Sequence, residues 1–199
     1  MFLSSCTQTE KLKTGDFLFQ NLDNTKLSES IEKATSNKED FQISHMGIVT
    51  IENNTVFVIE AFDSVQKTPI VSFLKRSTYE NGMPKVIVGR LKSGFQKHIK
   101  AAIKRANKLL GKPYDKEFRL NNGKYYCSEL VYESFLDNEN KPIFLVKPMS
   151  FVNIETGKID QTWLDYYKKL NCKIPQGELG NNPADYAKSD AIQIIDIKF

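Results

Sequence analysis

The sequence predicts a mixed α+β fold in which an antiparallel sheet packs against a helix that begins at a cysteine, and three observations carry this expectation. Residues 43–51 and 56–62 are two runs of apolar and β-branched residues joined by Glu52-Asn53-Asn54-Thr55, whose asparagines suit a hairpin turn. Residues 85–91, Lys-Val-Ile-Val-Gly-Arg-Leu, read as a further strand. From Cys127 onward, Leu130, Val131, Ser134 and Phe135 recur at helical spacing, a mostly apolar stripe that would anchor one helix face in a core.

The elements follow in order. Residues 1–13 read as a tail and 14–199 as a single domain. The turn at Gly15-Asp16 leads into a strand over 16–20, and residues 27–34 form a helical insert. The hairpin strands carry His45 near the start of the first and Glu60 in the second. Residues 69–76 read as a short helix or crossover. In the strand over 85–91, Gly89 would give room to a helix packed above it. A basic amphipathic helix covers 95–110, and Gly111 and Pro113 stop it. A loop to Lys124 delivers the chain to the Cys127 helix. A second amphipathic helix spans 162–170, a turn-rich stretch holds Gly177, Gly180, Asn182 and Pro183, and 191–197 reads as a closing strand.

Composition sets limits. With 199 residues, 40% hydrophobic and 26% charged, the chain can bury one good core and shows no repeat or low-complexity segment. A net charge of +4 is modest and spread along the chain; its denser cluster on the 95–110 helix reads as a solvated face rather than a nucleic-acid site, with contact to anionic membrane lipids as the other reading. Three cysteines do not pair off, and two histidines do not give zinc-ligand spacing, so neither a metal nor another cofactor is implied.

The chemistry centres on Cys127. At a helix start, unsatisfied backbone amides and the positive end of the helix dipole favour thiolate over thiol and can hold a developing oxyanion. The alternative is a small buried hydrophobe. A nucleophilic thiol needs a base, and only His45 and His98 are present. His98 falls beside Lys97 and Lys100 on the polar side of its helix and reads as a surface residue. Glu60 is the one charge in an apolar strand, where a buried carboxylate without a partner is expensive. With the turn centred on Asn53 and Asn54, position 45 pairs near 62, which makes Glu60 a diagonal neighbour of His45 on one face. The other reading is an edge strand with Glu60 facing water.

These residues resemble the YiiX-like, circularly permuted branch of the NlpC-type papain-like cysteine hydrolases. The matching pieces stand in that family's order: residues 14–19 (Thr-Gly-Asp-Phe-Leu-Phe), 44–49 (Ser-His-Met-Gly-Ile-Val), 58–61 (Val-Ile-Glu-Ala), 88–90 (Val-Gly-Arg), 110–115 (Leu-Gly-Lys-Pro-Tyr-Asp) and 126–131 (Tyr-Cys-Ser-Glu-Leu-Val). The resemblance implies a circularly permuted papain-like fold with Cys127 as nucleophile, His45 as base and Glu60 as the group that orients it. It implies Tyr114 and Ser128 as substrate or oxyanion contacts, Tyr114 having a core tyrosine as its alternative. Asp16 reads as a turn-closing residue. Residues 182–185 would lie near the substrate cleft.

The implied activity is cleavage of an amide or ester through a thioester, the substrate being a cell-wall peptide or a lipid-linked acyl group. Phe62, Phe118, Tyr125 and Tyr126 would suit an apolar acyl chain, or simply fill a core. The competing class is a non-catalytic module binding lipid or peptide on the same scaffold. Leu3-Ser4-Ser5-Cys6 resembles the end of a bacterial lipoprotein signal, with Cys6 as the lipidated residue and 7–13 as a polar spacer. That reading places the protein in the cell envelope, associated with membrane; a complete N-terminus would make it cytoplasmic, with an incidental cysteine. Cys172 reads as a spare thiol.

Overall fold

Alternating side chains along a central sheet divide the molecule into two cores. The computed structural model describes residue 9 and residues 11–22, 26–35 and 42–199. Six strands, β1 (Phe17–Gln20), β2 (His45–Glu52), β3 (Thr55–Ala61), β4 (Val65–Pro69), β5 (Val86–Leu91) and β8 (Ile192–Ile195), form one sheet in the order β4-β3-β2-β1-β5-β8, every neighbouring pair antiparallel. Phe17, Phe19, Met46, Ile48 and Ile59 face one side, where they meet Cys127, Leu130 and Val131 of the helix Cys127–Ser134 and Phe135, which ends it. Leu18, Val49, Val58 and Val88 face the other, against Ile70, Phe73 and Leu74 of the helix Ile70–Lys75. Being buried on both faces, β1 and the start of β2 read as continuous apolar runs, without clean alternation.

The expected register holds: Ile48 lies opposite Ile59, which puts Gly47 opposite Glu60 and leaves Glu60 diagonal to His45 on one face. Asn53 and Asn54 both take positive φ, 48° and 62°, as a tight hairpin turn requires.

Four details differ from the sequence reading. β4 was not expected; Gln66 and Lys67 give it no apolar alternation, because it is the edge strand beyond β3. The basic helix is two helices, Ser93–Gln96 and Ile99–Lys108, separated at Lys97 and His98. His98 is consequently buried, not solvated: it caps the second helix and lies i−4 and i−8 from the buried Ala102 and Ala106, on the inward stripe. Gly89 makes room for side chains of neighbouring strands, not for a helix; a Cβ there would lie 2.7 Å from the Phe19 ring and 2.8 Å from Ile192.

A third cluster, Phe118, Tyr126, Phe151, Trp163 and Tyr167, gathers around the helix Gln161–Lys169 and touches Leu27 and Ile31 of the helix Lys26–Thr35. A small ribbon, β6 (Lys147–Pro148) with β7 (Leu179–Gly180), and the short helix Pro183–Ala187 complete this side. Among the described residues no helix is long and apolar enough to cross a membrane. Cys6 lies outside the described residues.

Candidate active site

The helix carrying Cys127 starts where its sequence directs. Tyr126 is extended (φ −91°, ψ 169°), and its N–H donates to Glu129 Oε2 at 3.4 Å, a carboxylate at the third helical position reaching back over the first turn. Leu130, Val131 and Phe135, all fully buried, fix the helix against the sheet and hold Cys127 at its N-terminal end, 6% exposed.

His45, the first residue of β2, stands at the end of the sheet. Its side chain belongs to the face opposite the Cys127 helix, and the sheet's end lets the two groups meet around it. His45 Nε2 lies 2.6 Å from Glu60 Oε2, leaving the other ring nitrogen for the hydrogen bond between His45 and Cys127. Glu60 is fully buried and saturated with donors: Arg76 Nη1 donates to Oε2 at 2.8 Å, Arg76 Nη2 to Oε1 at 2.7 Å, and Thr68 Oγ1 to Oε1 at 2.5 Å. Arg76 also lies over the Phe62 ring at 4.0 Å, and Phe62 meets the imidazole edge-on with centroids 5.8 Å apart.

The electrostatics follow from these contacts. Burial works against ionisation of Glu60, but the hydrogen bonds and charges of Arg76 and His45 outweigh it and hold the carboxyl down at about 2. Burial likewise works against a charged imidazole. The hydrogen bonds and negative charges of Cys127 and Glu60 overcome it and lift His45 to about 9. The sequence reading found Cys127, His45 and Glu60 but missed Arg76 and Thr68. Its own requirement that a buried carboxylate have a partner pointed toward an arginine; of the nearer candidates, Arg90 is committed to Asp16, which also closes the turn by accepting from the Lys13 N–H.

Cys127 opens onto a cavity of 260 Å³. Tyr114 lines it, its phenol pushed well above the usual range by burial and by the charge of Cys127, so that it remains a donor. Ser128 also lines it, and its hydroxyl donates to the Asn181 carbonyl at 3.3 Å. Phe118, Tyr126, Phe151 and Trp163 form an aromatic wall; Ile31, Ala34 and Thr35 of the helical insert face it. Asn182, Pro183 and Asp185 lie at the cleft as expected, Asp185 paired with Lys147 at 3.3 Å. Tyr125 is not part of the lining, and Phe62 belongs to the His45 side of the site. Cys172 is half-buried against the third cluster, a free thiol pushed up mainly by burial.

Residues 11–196 match the family described as permuted papain-like amidase enzymes, YaeF/YiiX. The uncharacterized protein YiiX of Escherichia coli is 32% identical over 124 residues, 62% of this chain and 57% of that protein, so the match spans little more than half of the relative's length. The crystal structure of the metalloprotein YiiX from Escherichia coli superimposes with a TM-score of 0.74 at 23% identity, covering 94% of this chain and 98% of that one. At that identity the likeness shows the fold. Among the described residues of the present chain, no group of three or more His, Cys, Asp or Glu could hold a metal ion; at the thiol, His45 Nε2 and both Glu60 oxygens are already engaged.

Proposed function

Given that the chain belongs to the family of permuted papain-like amidases, we propose that it is a cysteine-dependent hydrolase that cleaves an amide through a thioester, with Cys127 as nucleophile, His45 as acid–base group and Glu60 as its orienting partner. One observation carries this reading: the imidazole is hydrogen-bonded to both a carboxylate held ionised at 2.6 Å and a thiol at a helix start facing a cavity.

His45, lifted to about 9, already holds the proton given up by the thiol when Cys127 Sγ attacks the carbonyl carbon. The backbone N–H at the helix start and the Tyr114 hydroxyl are the donors for the oxyanion. The imidazolium then protonates the leaving amine and the thioester forms. Water, deprotonated by the neutral imidazole, releases the acid and restores the resting pair. Glu60 keeps Nε2 as the donating nitrogen throughout. The aromatic wall accepts the acyl portion of either a cell-wall peptide or a lipid-linked acyl group. The companion proposal is a place in the bacterial cell envelope, tethered through acylated Cys6; metabolic labelling with palmitate, absent in Cys6→Ser, tests it.

The test of the chemistry is alkylation by iodoacetamide from about pH 5 to 9, with the labelled cysteine located by mass spectrometry. Rapid labelling of Cys127 with a profile that moves in His45→Ala supports the pair. Slow labelling unchanged by His45→Ala sinks it and leaves a non-catalytic binding module on the same scaffold.

A further inference from the structure

Charge is confined to one place on the cavity that Cys127 opens onto. Among the described residues its lining holds one cation, Lys147, and one carboxylate, Asp185, and is otherwise aromatic, aliphatic or uncharged polar. Lys147 belongs to β6 and lies opposite Gly180 of β7, from which the chain runs through Asn182 into the short helix carrying Asp185. The two charges therefore rise from neighbouring stretches of one wall and meet with Nζ 3.3 Å from Asp185 Oδ1. Both stay open to solvent, the Lys147 side chain 64% and the Asp185 side chain 34% exposed, which places the pair at the mouth of the cavity.

The two partners are held unequally. Asn182 Nδ2 donates to Asp185 Oδ2 at 3.0 Å, Lys147 approaches Oδ1, and the Asp185 N–H donates to Asn182 Oδ1 at 2.9 Å, so both carboxylate oxygens are engaged and the residue is fixed at its base. Lys147 Nζ carries three N–H donors and has one ion-pair partner among the described residues, Asp185. An ion pair this exposed adds little to stability, so the fold alone does not account for it. The ammonium is thus oriented by Asp185 with donors to spare. An anion arriving at the mouth can bond to it and leave Asp185 in place, whereas a cation would have to take the Asp185 oxygens from Lys147 and Asn182.

We propose that Lys147 is a specificity residue for an anionic group, a carboxylate or a phosphate, carried by the part of the substrate that fills this cavity, and that Asp185 positions its ammonium. The aromatic wall takes apolar bulk and Lys147 takes the charged end. The preferred acyl portion is therefore apolar in its body and negatively charged where it leaves the cavity. This rests on the reading of Cys127 as nucleophile and narrows the substrate from any acyl group to an acidic one.

The test compares p-nitroanilides of phenylalanine that differ in the N-acyl group: succinyl, which ends in a carboxylate; its methyl ester, without the charge; phosphonoacetyl; and β-alanyl, which ends in a cation. The wild-type protein is expected to favour succinyl over its methyl ester by about three- to fivefold in kcat/KM, the scale of an exposed ion pair, and to lose most of that preference in about 1 M salt. The faster of the two anionic substrates names the source, carboxylate or phosphate. Lys147→Met abolishes the preference chiefly through KM, because the contact is made equally in the ground and transition states. Lys147→Glu reverses it in favour of β-alanyl. Asp185→Asn, which keeps the side chain's shape and removes the competing charge, raises it by about a further twofold. Equal turnover of the succinyl substrate and its methyl ester by the wild type overturns the proposal, as does a succinyl preference unchanged in Lys147→Met. A wild-type preference for β-alanyl overturns it by giving the mouth to Asp185. Lowered melting temperatures in Lys147→Met and Asp185→Asn with every substrate ratio unmoved overturn it too, by giving the pair to the fold. Failure of the underlying reading is seen separately, as turnover retained in Cys127→Ala. Calorimetric binding of N-succinyl-phenylalanine amide and its methyl ester to Cys127→Ala reads the same charge without catalysis: the ester is expected to bind about threefold more weakly, and equal binding overturns the proposal.

Discussion

Replacing Arg76 by methionine removes the cation that keeps Glu60 ionised and leaves the rest of the site in place. Glu60 is fully buried and Arg76 only 18% exposed, so the pair is shielded from solvent screening. Breaking a buried pair by removing one partner costs about 3–5 kcal/mol. Thr68 and His45 continue to donate to the carboxylate, which puts the expected loss near the lower end, about 3 kcal/mol. For a domain of this size that corresponds to a fall in Tm of about 6–12 °C. The pH dependence fixes the sign. In the native protein Glu60 is lowered from 4.5 to about 2, so its ionic contribution is complete above its ordinary pKa and fades as pH falls toward 2. His45 is raised from 6.5 to about 9, so its contribution is complete below 6.5 and fades as pH rises through 9. Without Arg76 the Glu60 pKa rises and the acid loss of stability begins at a higher pH. Calorimetric melts of wild type, Arg76→Met and Arg76→Lys across the acid range measure this; lysine restores charge without the two-pronged geometry and should fall between. A drop of less than about 2 °C with an unmoved acid limb would refute the assignment of Arg76 as the charge partner.

Because the leaving group needs the imidazolium, kcat/KM should decline as pH climbs through about 9; an alkaline limb at the ordinary histidine value would contradict the arrangement around His45. Gly47→Ala places a Cβ against Val58 and 3.2 Å from the Glu60 Cβ, so overpacking of about 1–3 kcal/mol and a fall in kcat are expected together. Thermal melts beside turnover rates check both. Asn182 caps the helix Pro183–Ala187 by accepting from the Asp185 N–H at 2.9 Å; Asn182→Ala should cost about 1 kcal/mol in denaturant titration, and no loss would deny the cap a role.

The parts of this architecture that were legible in the chain are those fixed by local pattern. The hairpin register follows from two asparagines able to take positive φ, and it is enough to bring Glu60 to His45. The Cys127 helix follows from a mostly apolar stripe at 3.6-residue spacing. What escaped depends on long-range partners. Thr68 lies on an edge strand whose polar residues look like a loop, and Arg76 is sixteen residues from Glu60 along the chain. Nothing local says which arginine turns inward. His98 was misjudged from its lysine neighbours Lys97 and Lys100, although it stands four and eight residues before the buried Ala102 and Ala106 and so on the inward stripe. Residues beyond 140 show little periodicity beyond one helix, and their place at the cleft depends on aromatic packing between distant segments.

The thiol, the imidazole and its carboxylate all come from residues 45–127, rooted in the sheet and its helix, whereas much of the cavity wall comes from residues 147–185, an excursion that departs after the Cys127 helix and returns at β8. Each doubling in the length of such an excursion adds only about 0.6 kcal/mol of closure entropy. The segment is not a free loop, since Phe151, Trp163 and Tyr167 pack on Phe118 and Tyr126 and Ala184 joins the main core, so it can be exchanged only together with those contacts. Transplanting it with them offers a route to new selectivities on the same catalytic chassis.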